Sequence, residues 1–186
     1  MNLIAPWTIV VGNTEYESNA LASIDATIDL VELNRKDEKT ASHVQNKFEQ
    51  SWISRYPWPE HCVHDNGGEF TGLEFQQLLS GWCNIKDIAT TSCNPQANAI
   101  CERIHQSVGN VLLTLLYANP TQNLDQANEL INSTLATATH AMQANVYLAL
   151  DSFPGALAFG RDVVVMAESD SRMDTETEEN GFGSLR

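Results

Sequence analysis

The sequence predicts an α/β fold, a mixed five-stranded sheet with helices on both faces. Three observations carry that reading. Apolar, β-branched stretches at residues 3–12, 19–26 and 30–35 follow one another at hairpin spacing, as in a three-stranded antiparallel meander. From residue 40 the apolar period lengthens from that of a strand to that of a helix. Two further short strands then alternate with helices, and a strand–helix–strand crossover lays its strands parallel.

Residues 3–12 (LIAPWTIVVG) form the first strand. Pro6 has no N–H to give, so it predicts an edge position or a bulge. The second and third strands meet at a turn over residues 25–29. In residues 40–54, Val44, Phe48 and Trp52 recur at i, i+4 and i+8, one helix face, which Pro57 and Pro59 end. Residues 61–65 (HCVHD) form a short strand that opens into an Asn66-Gly67-Gly68 turn. Thr71 and Glu74 have capping-box spacing and predict a helix that buries Phe75, Leu78, Leu79 and Trp82. Residues 85–91 are a strand and 92–98 a polar loop. A long helix is predicted from about residue 99 to 118, burying Ile100, Ile104, Val108, Val111 and Leu115. Another is predicted over 121–145, capped by Thr121. Residues 151–162 read as irregular. From about 167 large apolar side chains almost vanish, the composition of a disordered tail. The expected organisation is a core over 1–165 and an acidic tail over 166–186.

The chain has 186 residues, 42% of them hydrophobic, enough for a real core. No apolar run approaches the roughly 18 residues that span a bilayer, and no signal-peptide pattern opens the chain. Cys62, Cys83, Cys93 and Cys101 form no C-x-x-C pair and read as buried small apolar residues of a reducing compartment. The expected location is therefore the nucleus or cytoplasm, with no membrane partner. The net charge of −14 opposes nucleic-acid binding, whose affinity comes largely from neutralising phosphates. Residues 166–186 hold six acidic and two basic side chains; residues 1–165 hold 18 and eight, still a net −10.

Two carboxylates stand out. Asp65 ends a strand at the carboxyl edge, where open α/β sheets place their sites. Glu102 lies on the long helix, with His105, Gln106 and Gly109, opposite the Ile100–Ile104–Val108 stripe. Two converging carboxylates suit a hard dication, Mg²⁺ or Mn²⁺. His61, Cys62 and His64 could suggest a metal site, but alternating strand residues explain them better.

The surrounding motifs are more specific. His64-Asp65-Asn66-Gly67-Gly68-Glu69-Phe70 resembles the H-x-D-N-G-x-E/N-F element around the second catalytic Asp of retroviral and LTR-retrotransposon integrases. Asn94-Pro95-Gln96, followed by Asn98 and by Glu102-Arg103, is similar to their N-P-Q segment before the catalytic Glu. Ser152-Phe153-Pro154 through Leu157 to Gly160-Arg161 resembles the stretch after the core in gypsy-class elements, and Leu3-Ile4-Ala5-Pro6-Trp7 resembles their first strand. The resemblance covers residues 1 to about 162. It implies a ribonuclease-H-like fold, and an Asp, Asp, Glu triad holding two divalent metals (Mg²⁺ or Mn²⁺) that trim element DNA ends and join them to target DNA. It also implies a homodimer and DNA contacts at Asn66, Gln96, Asn98, Arg103 and Gln106.

The chain departs from that pattern at Asn2, which occupies the position of the first Asp. An amide oxygen is a poorer ligand than a carboxylate for a hard dication. Asp25 is the nearest carboxylate that could stand in. The first strand begins at Met1, which reads as a core truncated there, and the family's His/Cys zinc module has no counterpart. Lentiviral relatives carry lysines one and two turns after the catalytic Glu, where this chain has Gln106 and Gly109; Lys47, Lys86 and Arg103 are the basic residues nearby in sequence. Two functional expectations follow: an integrase core with impaired catalysis, or a degenerate remnant serving as a dimerising or protein-binding module. A ribonuclease H is disfavoured, since that family has more acidic ligands and lacks N-P-Q before the Glu.

Overall fold

The computed structural model describes residues 1–11, 13–90, 95–119, 123–146 and 151–161. β1 (Asn2–Val11), β2 (Thr14–Asp25) and β3 (Leu30–Lys36) form the expected antiparallel meander. The register of β1 against β2 slips between Ile4 and Trp7, so Pro6 sits at a bulge, as its missing donor requires. β4 (His61–His64) and β5 (Lys86–Ala89) pair in parallel. The Met1 ammonium donates to Val63 O at 2.5 Å and so lays the start of β1 beside β4.

Helices cover both faces. α1 (Ala41–Phe48) is capped by Thr40, whose side chain accepts from His43 N, and widens into a π-helical turn over Glu49–Ile53. It buries Val44, Phe48 and Trp52 as the period predicts. α4 (Pro95–Ala118) and α5 (Leu124–Gln143) cover the other face. Two apolar clusters result. Ile4, Trp7, Ala20, Ala22 and Leu33 meet α4 and α5 through Ile104, Val108, Leu112, Ile131 and Leu135. Leu21 and Leu30 meet Phe48, Phe70, Phe75 and Leu79 on the opposite face. Burying large side chains on both faces, at about 2 kcal/mol each, is the main force holding helices to sheet.

Several local expectations fail for identifiable reasons. Thr71 does not cap a helix: it ends the short α2 (Gly68–Thr71), and its hydroxyl donates back to Gly67 O at 3.3 Å. α3 (Leu73–Gln76) starts from Gly72, which has no side chain to cap with. α3 then widens into a π-helical turn over Gln77–Trp82, and the extra residue per turn rotates Trp82 off the buried face, leaving it 68% exposed. α4 begins at Pro95, inside the expected loop, because proline suits the first helical turn. Its stripe runs Ile104, Val108, Leu112 at i+4 spacing, so Val111 faces solvent. α5 is capped by Asn123, which accepts from Gln126 N at 2.9 Å. The segment read as irregular contains a short helix, α6 (Pro154–Phe159), ended by Gly160 at φ 65°. Thr121 and the acidic tail lie outside the described residues.

Candidate active site

β1 and β4 bring Asn2 and Asp65 to one edge. Asn2 opens β1, half buried, paired with Ala22 of β2. The Met1–Val63 bond and the approach of Cys62 Sγ to Met1 Sδ at 3.3 Å set it alongside β4, whose next residue is Asp65. Along β4, Cys62 and His64 are buried and His61 and Val63 exposed, the alternation expected of a strand.

Asp65 is exposed, and its Oδ1 accepts from Gly67 N at 3.1 Å, which closes the turn. Gly67 is needed for space: a Cβ there would stand 2.9 Å from Glu69 Oε2 and 3.1 Å from Asp65 Oδ1. The Asp65 and Glu69 carboxylates therefore lie over the same glycine. Lys36, at the end of β3, places its ammonium 3.8 Å from Glu69 Oε1. Burial pushes the Lys36 ammonium down from the usual lysine range; Glu69 raises it, Lys39 lowers it and Asp65 raises it.

His64 anchors the other side of the turn. It is 1% exposed, stacked on Phe70 and edge-on to Phe75. Its Nδ1 lies 2.5 Å from Asp65 O, and its Nε2 lies 2.5 Å from Asp87 Oδ1. A carbonyl oxygen only accepts, so Nδ1 donates and fixes the backbone at Asp65. Gln76 Nε2 donates to the other Asp87 oxygen at 3.0 Å, so a side chain of α3 holds the acceptor in place. Sequence reasoning missed Lys36, Glu69 and Asp87 in this setting, because only the fold brings β3, α2 and β5 to the end of β4.

Glu102 is exposed on α4, with His105 and Gln106. Gly109 lets the helix approach β1, where an added Cβ would lie 3.5 Å from Trp7 Nε1. Asn66 is exposed in the turn. Gln96, Asn98 and Arg103 lie on α4, with side chains outside the described ones. Asp25 Oδ1 accepts from Thr27 N at 2.8 Å and shapes the β2–β3 turn. Lys47 lines a groove with Arg35 and Arg55 between β3 and α5. Among the described residues, no three His, Cys, Asp or Glu side chains gather closely enough to hold a metal ion. The donor set thus fits the triad's two-metal site poorly, since one carboxylate is replaced by an amide.

No protein-family model matches the chain, and no curated protein matches its sequence. Solved structures do match its shape. The catalytic core domain of BIV integrase superposes with a TM-score of 0.60 at 19% identity, covering 86% of this chain and 93% of that one. The HTLV-2 integrase catalytic core, in complex with magnesium, gives 0.58 at 23% identity, covering 84% and 95%. The simian T-cell lymphotropic virus intasome gives 0.63 at 19% identity, covering 91% of this chain and 58% of that one. The fold is therefore similar to that of retroviral integrase catalytic cores.

Proposed function

We propose that this chain is the core of a retroelement integrase whose catalytic site is impaired. One observation carries the reading: within an integrase-core fold, Asn2 stands beside the strand that ends in Asp65, at the position where the resemblance puts the first carboxylate. Asp65 and Glu102 remain as the acidic ligands for Mg²⁺ or Mn²⁺, and Asn2 offers only a neutral oxygen. Bound metal would supply activation of the attacking oxygen and stabilisation of the leaving one. The chain's own groups orient the ligand: Gly67 N holds the Asp65 carboxylate and His64 holds its carbonyl.

The remaining roles come with this reading. DNA ends and target DNA are the substrates, met by Asn66, Gln96, Asn98, Arg103 and Gln106, and the core pairs as a homodimer. Residues 1–165 form the catalytic unit and 166–186 an acidic extension, and Ser152 to Arg161 favours the gypsy class among retroelements. A second reading, a non-catalytic module retained for dimerisation or protein binding, is favoured by the same Asn2 and by the −14 charge.

Mn²⁺ calorimetry on the chain, Asn2→Asp and Asp65→Ala tests the site. The expected result is weak binding by the chain, a second or tighter site in Asn2→Asp, and none in Asp65→Ala. Robust Mg²⁺-dependent strand transfer by the unaltered chain would overturn the impairment. Absence of metal binding in both the chain and Asn2→Asp would favour the non-catalytic module.

A further inference from the structure

One groove concentrates positive charge in a chain whose net charge is −14. It lies between β3 and α5, encloses about 550 Å³, and sets Arg35, Lys47 and Arg55 against a single lining carboxylate, Glu32. Glu32 is 7% exposed and accepts from Tyr56 Oη at 2.5 Å and from Gln143 Nε2 at 3.4 Å; Arg55 stands 3.8 Å from it. Arg35 pairs with Asp37 and donates to Asn128 and Asn132, each at 3.0 Å, which holds its guanidinium in the wall. Lys47 is half buried and has no ion-pair partner among the described residues. Asn34 Nδ2 and Thr139 Oγ1, also in the walls, are buried without a hydrogen bond among the described residues. Surplus positive charge beside unsatisfied polar atoms suits an anionic occupant rich in hydrogen-bonding groups.

The chain carries such a segment. α6 packs against both β3 and α5. Its Phe159 ring lies 5.8 Å from that of Tyr56, whose hydroxyl reaches Glu32 in the groove. The chain therefore leaves α6 beside the groove, and the sequence that follows contains Glu168, Asp170, Asp174, Glu176, Glu178 and Glu179. Glu168 comes seven residues after Arg161, a reach of up to about 24 Å when extended. Asp174, Glu176 and Glu178 alternate, so an extended chain would present all three on one side, about 7 Å apart. We propose that residues 168–179 dock in this groove of their own chain, with their carboxylates on Lys47 and Arg55. Lys47 thereby gains the ion pair it lacks within the core. Tethering holds the segment at an effective concentration of about millimolar, so ion pairs that are individually weak suffice. Docked there, the segment occupies cations that phosphates would otherwise meet. Neither metal binding nor catalysis enters.

Carbodiimide cross-linking of the full chain tests this, because the reagent joins a lysine amine to a carboxylate only where the two are in contact. Peptide mapping of an equal mixture of unlabelled and isotope-labelled protein separates links within one chain from links between copies. Lys47 is expected to link to acids of residues 168–179 within one chain, at about fivefold or more the yield from the exposed Lys86 to the same acids. Arg55→Gln is expected to lower the Lys47 yield about twofold or more, because one of the docking cations is gone. The Lys39–Glu17 link, a pair 3.9 Å apart that involves neither groove nor tail, should stay unchanged and serves as the control. Equal yields from Lys47 and Lys86 overturn the proposal, since a freely moving tail predicts them. Absence of the Lys47 link while Lys39–Glu17 forms overturns it as well. So do Lys47 links found only between copies, which would give the groove to a second molecule, and an unchanged Lys47 yield in folded Arg55→Gln. If Arg55→Gln does not fold, the comparison of Lys47 with Lys86 in the unaltered chain decides.

Discussion

At the scale of single residues, the turn that carries Asp65 is held by partners whose removal has a calculable cost. Asp87→Ala removes the partner of His64 Nε2, in a site that is 1% exposed at His64, and one of the two acceptors of Gln76 Nε2, which keeps Phe70 O at 2.9 Å. Stranding a buried donor costs about 1–3 kcal/mol, so urea unfolding should show a loss of that size, with Lys86→Ala as a near-neutral neighbour. Cys62 makes a pH prediction. Burial pushes its thiol up to about 11. The unfolded thiol ionises near the ordinary cysteine value, so the unfolded chain loses its proton first as pH rises. The folded state keeps this contribution below about pH 8.5 and loses about 2–3 kcal/mol of it by pH 11. Cys62→Ala should flatten that part of the stability-versus-pH curve relative to the parent; an equal decline in both would refute it. The placement of Asp65 just after a short strand and of Glu102 on the exposed face of a long helix was legible from turn chemistry and period. Lys36 and Asp87 were not, since neither motif nor period shows which strand end will lie beside another.

Among the elements, period and turn chemistry gave the meander, both main helices and the crossover, and they failed where neighbours decide. Val108, Val111 and Leu112 all suit a helix face; contact with β1 and α5 selects Leu112. Leu112→Ala is accordingly expected to cost about 2–4 kcal/mol in thermal or urea unfolding, while Val111→Ala, 46% exposed, costs under about 0.5. The approach of α3 to α1 gives a second test. A Cβ at Gly72 would lie 2.2 Å from Ala41 Cβ, closer than any two carbons pack, and Ala41 has no flexible end to move aside. Gly72→Ala should therefore destabilise by about 1–3 kcal/mol, and Ala41→Gly in the same chain should recover part of the loss. Recovery is the informative arm, because a mere change in glycine entropy at residue 72 would not respond to residue 41. The capping box at Thr71 misled for a related reason: Gly72 breaks the helix there, so the same spacing straddles two short turns instead of opening one helix.

For the whole molecule, the charge balance argues against tight DNA binding. Ten basic residues face 24 acidic ones. Of the eight basics before residue 166, Lys36 is buried, Lys39 stands 3.9 Å from Glu17, and Arg35, Lys47 and Arg55 line the groove between β3 and α5. That leaves Lys86, Arg103 and Arg161 to meet phosphates. Three contacts release too few counterions for tight binding, and the surrounding acids repel the same phosphates. Duplex DNA should bind with a dissociation constant weaker than about 10⁻⁵ M at 150 mM salt, and with a log–log salt slope no steeper than about −3. Fluorescence anisotropy across a salt series measures both quantities. A steeper slope would reveal a basic surface that this distribution does not provide. A shallow slope, with binding restored only when Mn²⁺ is added to Asn2→Asp, would show that the metal site, rather than the protein surface, holds DNA to this core.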